Sequence, residues 1–321
     1  MQFGFSSYSF YQHLRTGRMS LFDVIDWIGA SDATHMEIAT VSLSPEISND
    51  TSTLDQDPAF VAEVKARAAD RGVTLSNLVV PADLLGDDAA RQMARVKRHL
   101  DVAAELGIGL FRHDVARWAH RATDIADFEA LMPRMVEACQ EIARYAAQYG
   151  ITTSVENHGL LVNGGERVRR LIHLVDEPNF RTTLDVGNFM SVDDNPVVSV
   201  AENARYASIV HLKDFYVRTR YPGEGWHHTP GGVYLLGSIV GYGDLDMPRI
   251  VRGIVAADYD GFISIEFEGI EECLMANPIG LANAKRLFAE AQAGADAAGA
   301  DAAGVAGAGA ASAGTAAGAA R

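Results

Sequence analysis

Apolar positions along the chain follow two alternating patterns. Runs of six or seven residues rich in Val, Ile, Phe and Thr recur at 2–7, 34–39, 74–80, 108–113, 152–157, 181–186, 208–213 and 262–267. Longer helix-like segments separate them, at 20–30, 58–71, 89–106, 124–149, 166–175, 196–206, 247–257 and 277–291. The short runs predict buried strands and the long ones amphipathic helices. Start and stop signals agree. Asp57-Pro58 puts proline in a first helical turn and Asp246 stands where it caps the helix from Met247. Arg71-Gly72, Leu106-Gly107 and Tyr149-Gly150 put glycine where helices stop and strands begin. Eight consecutive βα units in about 290 residues predict an α/β protein built as one (βα)8 barrel, with an open doubly wound sheet as the alternative. No glycine-rich phosphate loop follows the first strand.

Two segments break the rhythm. After the seventh strand, residues 214–246 are too long and too rich in Gly, aromatic residues and His for a connector. Excursions of this kind at the C-terminal face of a barrel form lids or substrate walls. Residues 293–321 are almost wholly Ala and Gly, and each of the seven glycines would cost a helix about 1 kcal/mol. The expected organisation is a catalytic barrel over 1–292 and a disordered low-complexity tail over 293–321.

Composition narrows the partners. The 321 residues carry 42 acidic and 27 basic side chains, a formal charge of −15, which disfavours nucleic acid and anionic membranes. Cys139 and Cys273 lie far apart, without metal-type spacing, as in a reducing compartment. The sequence holds no apolar run of about 18 residues and no signal-peptide pattern. A soluble cytoplasmic protein is expected.

Chemistry concentrates at the ends of the late strands. The fifth, sixth, seventh and eighth reach Glu156, Asp185, His211 and Glu266 after apolar or β-branched residues. From the C-terminal ends of adjacent barrel strands these four would converge on the axis. Three carboxylates and an imidazole share a small dry volume only around a compensating cation. Their N/O donor set suits Mn²⁺ first, with Mg²⁺, Co²⁺ or Zn²⁺ as alternatives. Period-two geometry points His158 the same way as Glu156, Lys213 as His211, and Glu268 as Glu266. Arg218 is a candidate anion or hydroxyl binder at the start of the insertion, and Glu37, Asn77 and His113 are candidates for the opposite wall. Tyr8, Trp118 and Trp226 are candidate apolar walls, whereas the adjacent His227 and His228 are poorly placed to share one ion.

The stretches SVENHG, TTLDVGN, VHLKD and ISIEFEG, with GYGDLD before the last helices, resemble the sugar phosphate isomerase/epimerase family of xylose-isomerase-like TIM barrels. The resemblance covers about residues 2–290 and implies metal ligation by Glu156, Asp185, His211 and Glu266. In ketose 3-epimerases the two glutamates also exchange protons on opposite faces of the substrate. Those enzymes carry His three residues after the metal Asp, where this chain has Asn188, so a simple free-ketose 3-epimerase is not implied. The same fold serves as the catalytic subunit of C-glycoside deglycosidases, which use a Glu-x-His arrangement like Glu156-Asn157-His158 to eliminate an aglycone from a 3-oxo-glycoside. Those enzymes work with a small β-rich partner subunit.

The expected function is a divalent-metal-dependent isomerase or epimerase of carbohydrate metabolism. It would take the proton beside the carbonyl of a sugar or keto-sugar through a metal-stabilised enediolate. Glu156, Glu266 and His158 are the acid–base candidates, and Lys213, Arg218, Asn188, His113 and Trp226 the substrate-binding ones. The partner is a small-molecule sugar or glycoside, with a homo-oligomer or a β-rich partner subunit left open. The alternative is a lyase acting on 3-oxo-C-glycosides. More remote are a DNA-repair enzyme of the endonuclease IV type, which needs further His ligands and a basic face, and a non-enzymatic sugar-binding protein.

Overall fold

A computed structural model describes residues 1–43 and 54–313, the side chains of 298–313 excepted. In chain order the elements are β1 (Gln2–Ser6), α1 (Tyr11–Arg15), α2 (Leu21–Gly29), β2 (His35–Ala39), α3 (Pro58–Arg71), β3 (Thr74–Val80) and α4 (Ala89–Leu106). There follow β4 (Leu110–His113), α5 (Ile125–Ala147), β5 (Thr152–Glu156), α6 (Gly165–Val175), β6 (Phe180–Asp185), α7 (Pro196–Asn203) and β7 (Ala207–Leu212). An insertion then supplies β8 (Asp214–Arg218), β9 (His227–His228) and β10 (Tyr234–Ser238), before α8 (Met247–Ala256), β11 (Phe262–Ile265) and α9 (Cys273–Ala313). Strands β1 to β7 and β11 pair in parallel and close on one another, giving the eight-stranded barrel that the alternation predicts. Local signals act as expected: the Asp57 side chain caps α3 at Phe60 N, Asp246 caps α8 at Arg249 N, and Gly72 and Gly107 end helices at φ 67° and 77°.

Strand parity divides the barrel into two environments. Outward residues such as Phe5, Met36, Ile38, Leu78, Phe111, Leu184, Val210, Leu212 and Ile263 pack against the helices in one apolar cluster. The inward set is polar instead: His35, Glu37, Asn77, Arg112, Ser154, Thr183, Asp185, His211 and Ser264 are all buried. Bulky branched side chains usually fill this space, so the polar filling marks a barrel built around a site.

His35 crosses the lower interior, its Nδ1 2.9 Å from Ser76 Oγ and its Nε2 3.1 Å from the Ile263 carbonyl. A Cβ on Gly4 would stand 2.7 Å from the His35 ring, so only glycine lets β1 pass.

The insertion is a folded element. Its strands form an antiparallel sheet in the order β8-β10-β9. Buried Asp214 ties its base, accepting from the backbone N–H groups of Phe215, Gly241 and Gly243 at 2.8, 2.9 and 3.0 Å. Asp193 holds its tip, accepting from Thr229 Oγ1 and Gly231 N. No described helix is long and apolar enough to cross a membrane.

The domain boundary expected at residue 292 lies inside α9, which runs on to Ala313. Alanine favours helix strongly enough to carry it past several glycines, and residues 292–297 are exposed there. The rest of the segment expected to be disordered, residues 314–321, lies outside the described residues.

Burial pushes the imidazole of His35 down to about 4 from 6.5, so it folds neutral. The unfolded chain takes up that proton first as pH falls. His35 therefore adds stability that is fully present above pH 6.5 and is lost towards pH 4, by up to about 3 kcal/mol. Urea denaturation of H35N should show lower stability at neutral pH but a shallower decline between pH 6.5 and 4 than the parent chain. An unchanged slope would contradict this assignment.

Candidate active site and metal centre

At the C-terminal mouth of the barrel, β5, β6, β7 and β11 deliver one ionisable residue each. Asp185 and His211 are register partners, and Ser264, two residues before Glu266, pairs with His211 on its other side. Glu156, Asp185, His211 and Glu266 are all buried, and one ligating atom from each lies within 4.8 Å of the others.

Neighbouring residues aim these atoms inward. Glu37 sits 2.8 Å from His211 Nε2, so Nδ1 turns to the centre, 3.9 Å from Asp185 Oδ2 and 3.7 Å from Glu266 Oε2. Asn77 Nδ2 donates to Glu37 at 3.0 Å. Carboxylates behind ligating imidazoles fix the ring and its tautomer in this way. Asn157 exchanges two bonds of 2.8 and 2.9 Å with the Asp185 backbone. Asp185 Oδ1 accepts from Gly187 N and Asn188 N, which leaves Oδ2 facing the cluster.

Two buried cations partly offset the charge. Lys213 Nζ lies 3.3 Å from Asp185 Oδ2, 2.8 Å from Glu266 Oε2 and 3.1 Å from Glu268 Oε1. Arg112 pairs with Glu156 Oε2 at 3.0 Å and with Asp114 Oδ1 at 2.8 Å. Asn188 bridges the two groups, donating to Glu156 Oε1 at 2.7 Å and accepting from Lys213 at 3.3 Å.

The electrostatics register an excess of acid. Burial drives Asp185 up to about 7, opposed by Lys213 and reinforced by Glu156 and Glu266. Burial also works against the charge on Glu266, yet Lys213 and His211 hold it well below the usual carboxylate range. His158 is raised: burial opposes its charge, but Asp114, 3.5 Å from Nδ1, favours it. Asp185 Oδ2 and His211 Nδ1 are buried without a hydrogen-bond partner. An unsatisfied pair of this kind, beside two further carboxylates, is a donor set that suits a divalent ion.

Above the cluster opens a pocket of about 410 Å³. Arg112, Glu156, His158, Lys213 and Glu266 line its floor, with Asn188 and Glu268 beside them, and Tyr8, Trp118, Phe215 and His227 form aromatic walls. Trp118 and His227 meet edge to face at 5.0 Å, joining the insertion to the loop after β4.

Not every sequence candidate reaches this pocket. His113 is fully buried on the opposite parity of β4, its ring tilted against Phe180 with centroids 6.3 Å apart. Its neighbour Arg112 points inward in its place. Arg218 faces away, 2.9 Å from Asp244 and 5.7 Å from the Trp226 ring centroid, and neither Arg218 nor Trp226 borders the pocket. Glu37 and Asn77 lie behind His211 rather than in the wall. Sequence reasoning passed over Arg112 and Asp114. Counting alternate residues back from the strand end would have found Arg112, since inward positions alternate.

Residues 26–292 match the xylose isomerase-like TIM barrel family, to which the chain belongs. It is 24% identical over 161 residues to an inosose dehydratase of Bacillus velezensis, a match covering 49% of this chain and 53% of that protein. The match thus spans about half the length of that curated relative. Similar solved structures include an L-ribulose 3-epimerase, with TM-score 0.69 at 14% identity over 92% of this chain and 97% of that one. A "probable 3-DHS dehydratase AsbF involved in the petrobactin synthesis" from Bacillus anthracis gives 0.68 at 17%, over 89% and 98%. The IOLI protein "with a binding zinc atom" gives 0.67 at 16%, over 91% and 98%.

Removing Arg112 would leave buried Glu156 and half-buried Asp114 with one cation fewer. Breaking a buried pair in this way costs about 3–5 kcal/mol. Urea denaturation of Arg112→Met should show a loss of that order, partly recovered by adding Asp114→Asn. A variant as stable as the parent would show that the guanidinium is dispensable.

Proposed function

We propose that this chain is a divalent-metal-dependent enzyme that removes the proton beside the carbonyl of a sugar or keto-sugar. The observation that carries this reading is the convergence of Glu156, Asp185, His211 and Glu266, with His211 Nδ1 lacking a hydrogen-bond partner and Asp185 Oδ2 met by Lys213 alone, beneath the pocket that Glu156 and Glu266 line. Glu156, Asp185, His211 and Glu266 would hold a divalent ion (Mn²⁺ first, or Mg²⁺, Co²⁺ or Zn²⁺), which would supply Lewis-acid polarisation of a substrate carbonyl.

The chain's own residues do the rest. Asn188 and Arg112 each hold one oxygen of Glu156, fixing the carboxylate in place. Glu266 is anchored by Lys213 from the far side of the cluster. One of the two glutamates takes the substrate proton, and Lys213 Nζ offers a hydrogen bond to the oxygen that gains charge. Return of the proton to the other face gives epimerisation, and to the neighbouring carbon gives isomerisation.

A second reading is elimination. His158 lines the pocket, is held by Asp114, and has its pKa raised. A protonated imidazole there can hand its proton to a departing β-substituent as the bond to it breaks. The dehydratases among the relatives support this branch, and a 3-oxo-glycoside with its aglycone as leaving group is one such substrate.

Deuterium exchange from solvent into a panel of keto-sugars and 3-oxo-glycosides tests both readings. Glu156→Gln and Glu266→Gln should each slow exchange by about 10²–10⁴-fold. Glu37→Gln should weaken Mn²⁺ binding in equilibrium dialysis by about 10–100-fold. Undiminished exchange after exhaustive chelation, or in either glutamate variant, would refute the proposal.

A further inference from the structure

The two cations in the pocket wall are already paired. Arg112 engages Glu156 and Asp114, while Lys213 engages Asp185, Glu266 and Glu268, and the two side chains are only 6% and 4% exposed. No other Lys or Arg lines the pocket among the described residues, and residues 44–53, outside them, contain neither type. Arg218, the cation expected at this mouth, lies outside on Asp244. Six carboxylates surround the site: Glu37, Asp114, Glu156, Asp185, Glu266 and Glu268. Arg112 and Lys213 are the only lysine or arginine side chains set against them in the described pocket wall.

We infer that the pocket selects an uncharged keto-sugar or glycoside and rejects phosphorylated or carboxylated sugars, with Glu268 as a specificity-determining residue. Glu268 lies outside the four-residue cluster, lines the pocket, and at 32% exposure faces its occupant while holding Lys213 at 3.1 Å. A phosphate would have to displace it from Lys213 or lie against it, and like charges brought into contact repel. Neutral hydroxyls have no such conflict, since they can donate to Glu268 and leave its pair with Lys213 in place. Elsewhere in the wall, Tyr8, Val41, Val79, Trp118 and Phe215 offer an uncharged substituent a largely apolar surface. A cavity of about 150 Å³ already holds a benzene ring, so 410 Å³ leaves room for such a group beside the sugar.

The inference takes the keto-sugar class from the proposed function, but the sign of the charge it excludes comes from the pocket alone. Calorimetric titration of the Mg²⁺-loaded full chain with three ketohexoses, their 6-phosphates and phenyl β-glucoside separates the two. Uncharged members should bind at least about tenfold more tightly than their phosphate esters. Glu268→Gln and Glu268→Ala should each shift that ratio at least about tenfold towards the esters. Equal or tighter binding of the esters by the parent chain, a ratio unmoved in both variants, or no binding by any uncharged member would overturn the inference. Intact preference without deuterium exchange would count against the proposed chemistry and leave the charge selection standing.

Discussion

Bringing Glu156, Asp185, His211 and Glu266 together in a buried space is costly, because a dry interior screens charge weakly. Much of the surrounding structure can be understood as the response. Arg112 and Lys213 supply positive charge from inward positions of β4 and from just beyond β7. Glu37 turns the His211 ring, and Asn157 and Asn188 fix the two flanking carboxylates through backbone and side-chain bonds. Even so, His211 Nδ1 is buried there without a hydrogen-bond partner, and Asp185 Oδ2 is met by Lys213 alone.

That concentration of polarity inside the barrel is tolerable because stability is supplied elsewhere. The apolar cluster runs between the outward faces of the strands and the helices, with Phe5, Phe10, Ile25, Met36, Leu78 and Phe111 wholly buried in it. Burial of this kind is the main favourable term in folding. The barrel axis is thereby free to carry chemistry, and His35, bonded to Ser76 and Ile263, helps fill the lower end. The insertion completes the mouth. Asp214 and Asp193 pin it at base and tip, so that Phe215 and His227 stand at the pocket wall as part of a sheet.

The periodicity of the sequence was enough for the architecture. All eight barrel strands and the helices from α2 to α8 fall where the alternation places them, to within a few residues at the ends. The last helix, expected over 277–291, instead runs from Cys273 to Ala313, and the short α1 had no sequence signal. The structure also brings together the four ionisable residues at the late strand ends, since each follows a run whose parity is unambiguous. The early strands were harder to read. In β4, Arg112 and His113 are adjacent, and chemical character favoured the histidine while parity chose the arginine. Arg218 and Trp226 lie in a segment without a barrel-strand period, and they turned towards each other and Asp244 instead of the pocket.

By itself the sequence determined the barrel, the late strand ends that carry its acids, and the need for a compensating charge, because these depend on local period and residue type. Only the tertiary structure decided which partners those acids meet. Glu37 reaches His211 across 174 residues, and Lys213 reaches Glu268 across 55. Such pairings arise from closure of the sheet and the register of its neighbours, which no local pattern encodes. The same closure pairs both pocket cations with acids already present, leaving no lysine or arginine free in the described wall to receive an anionic substrate.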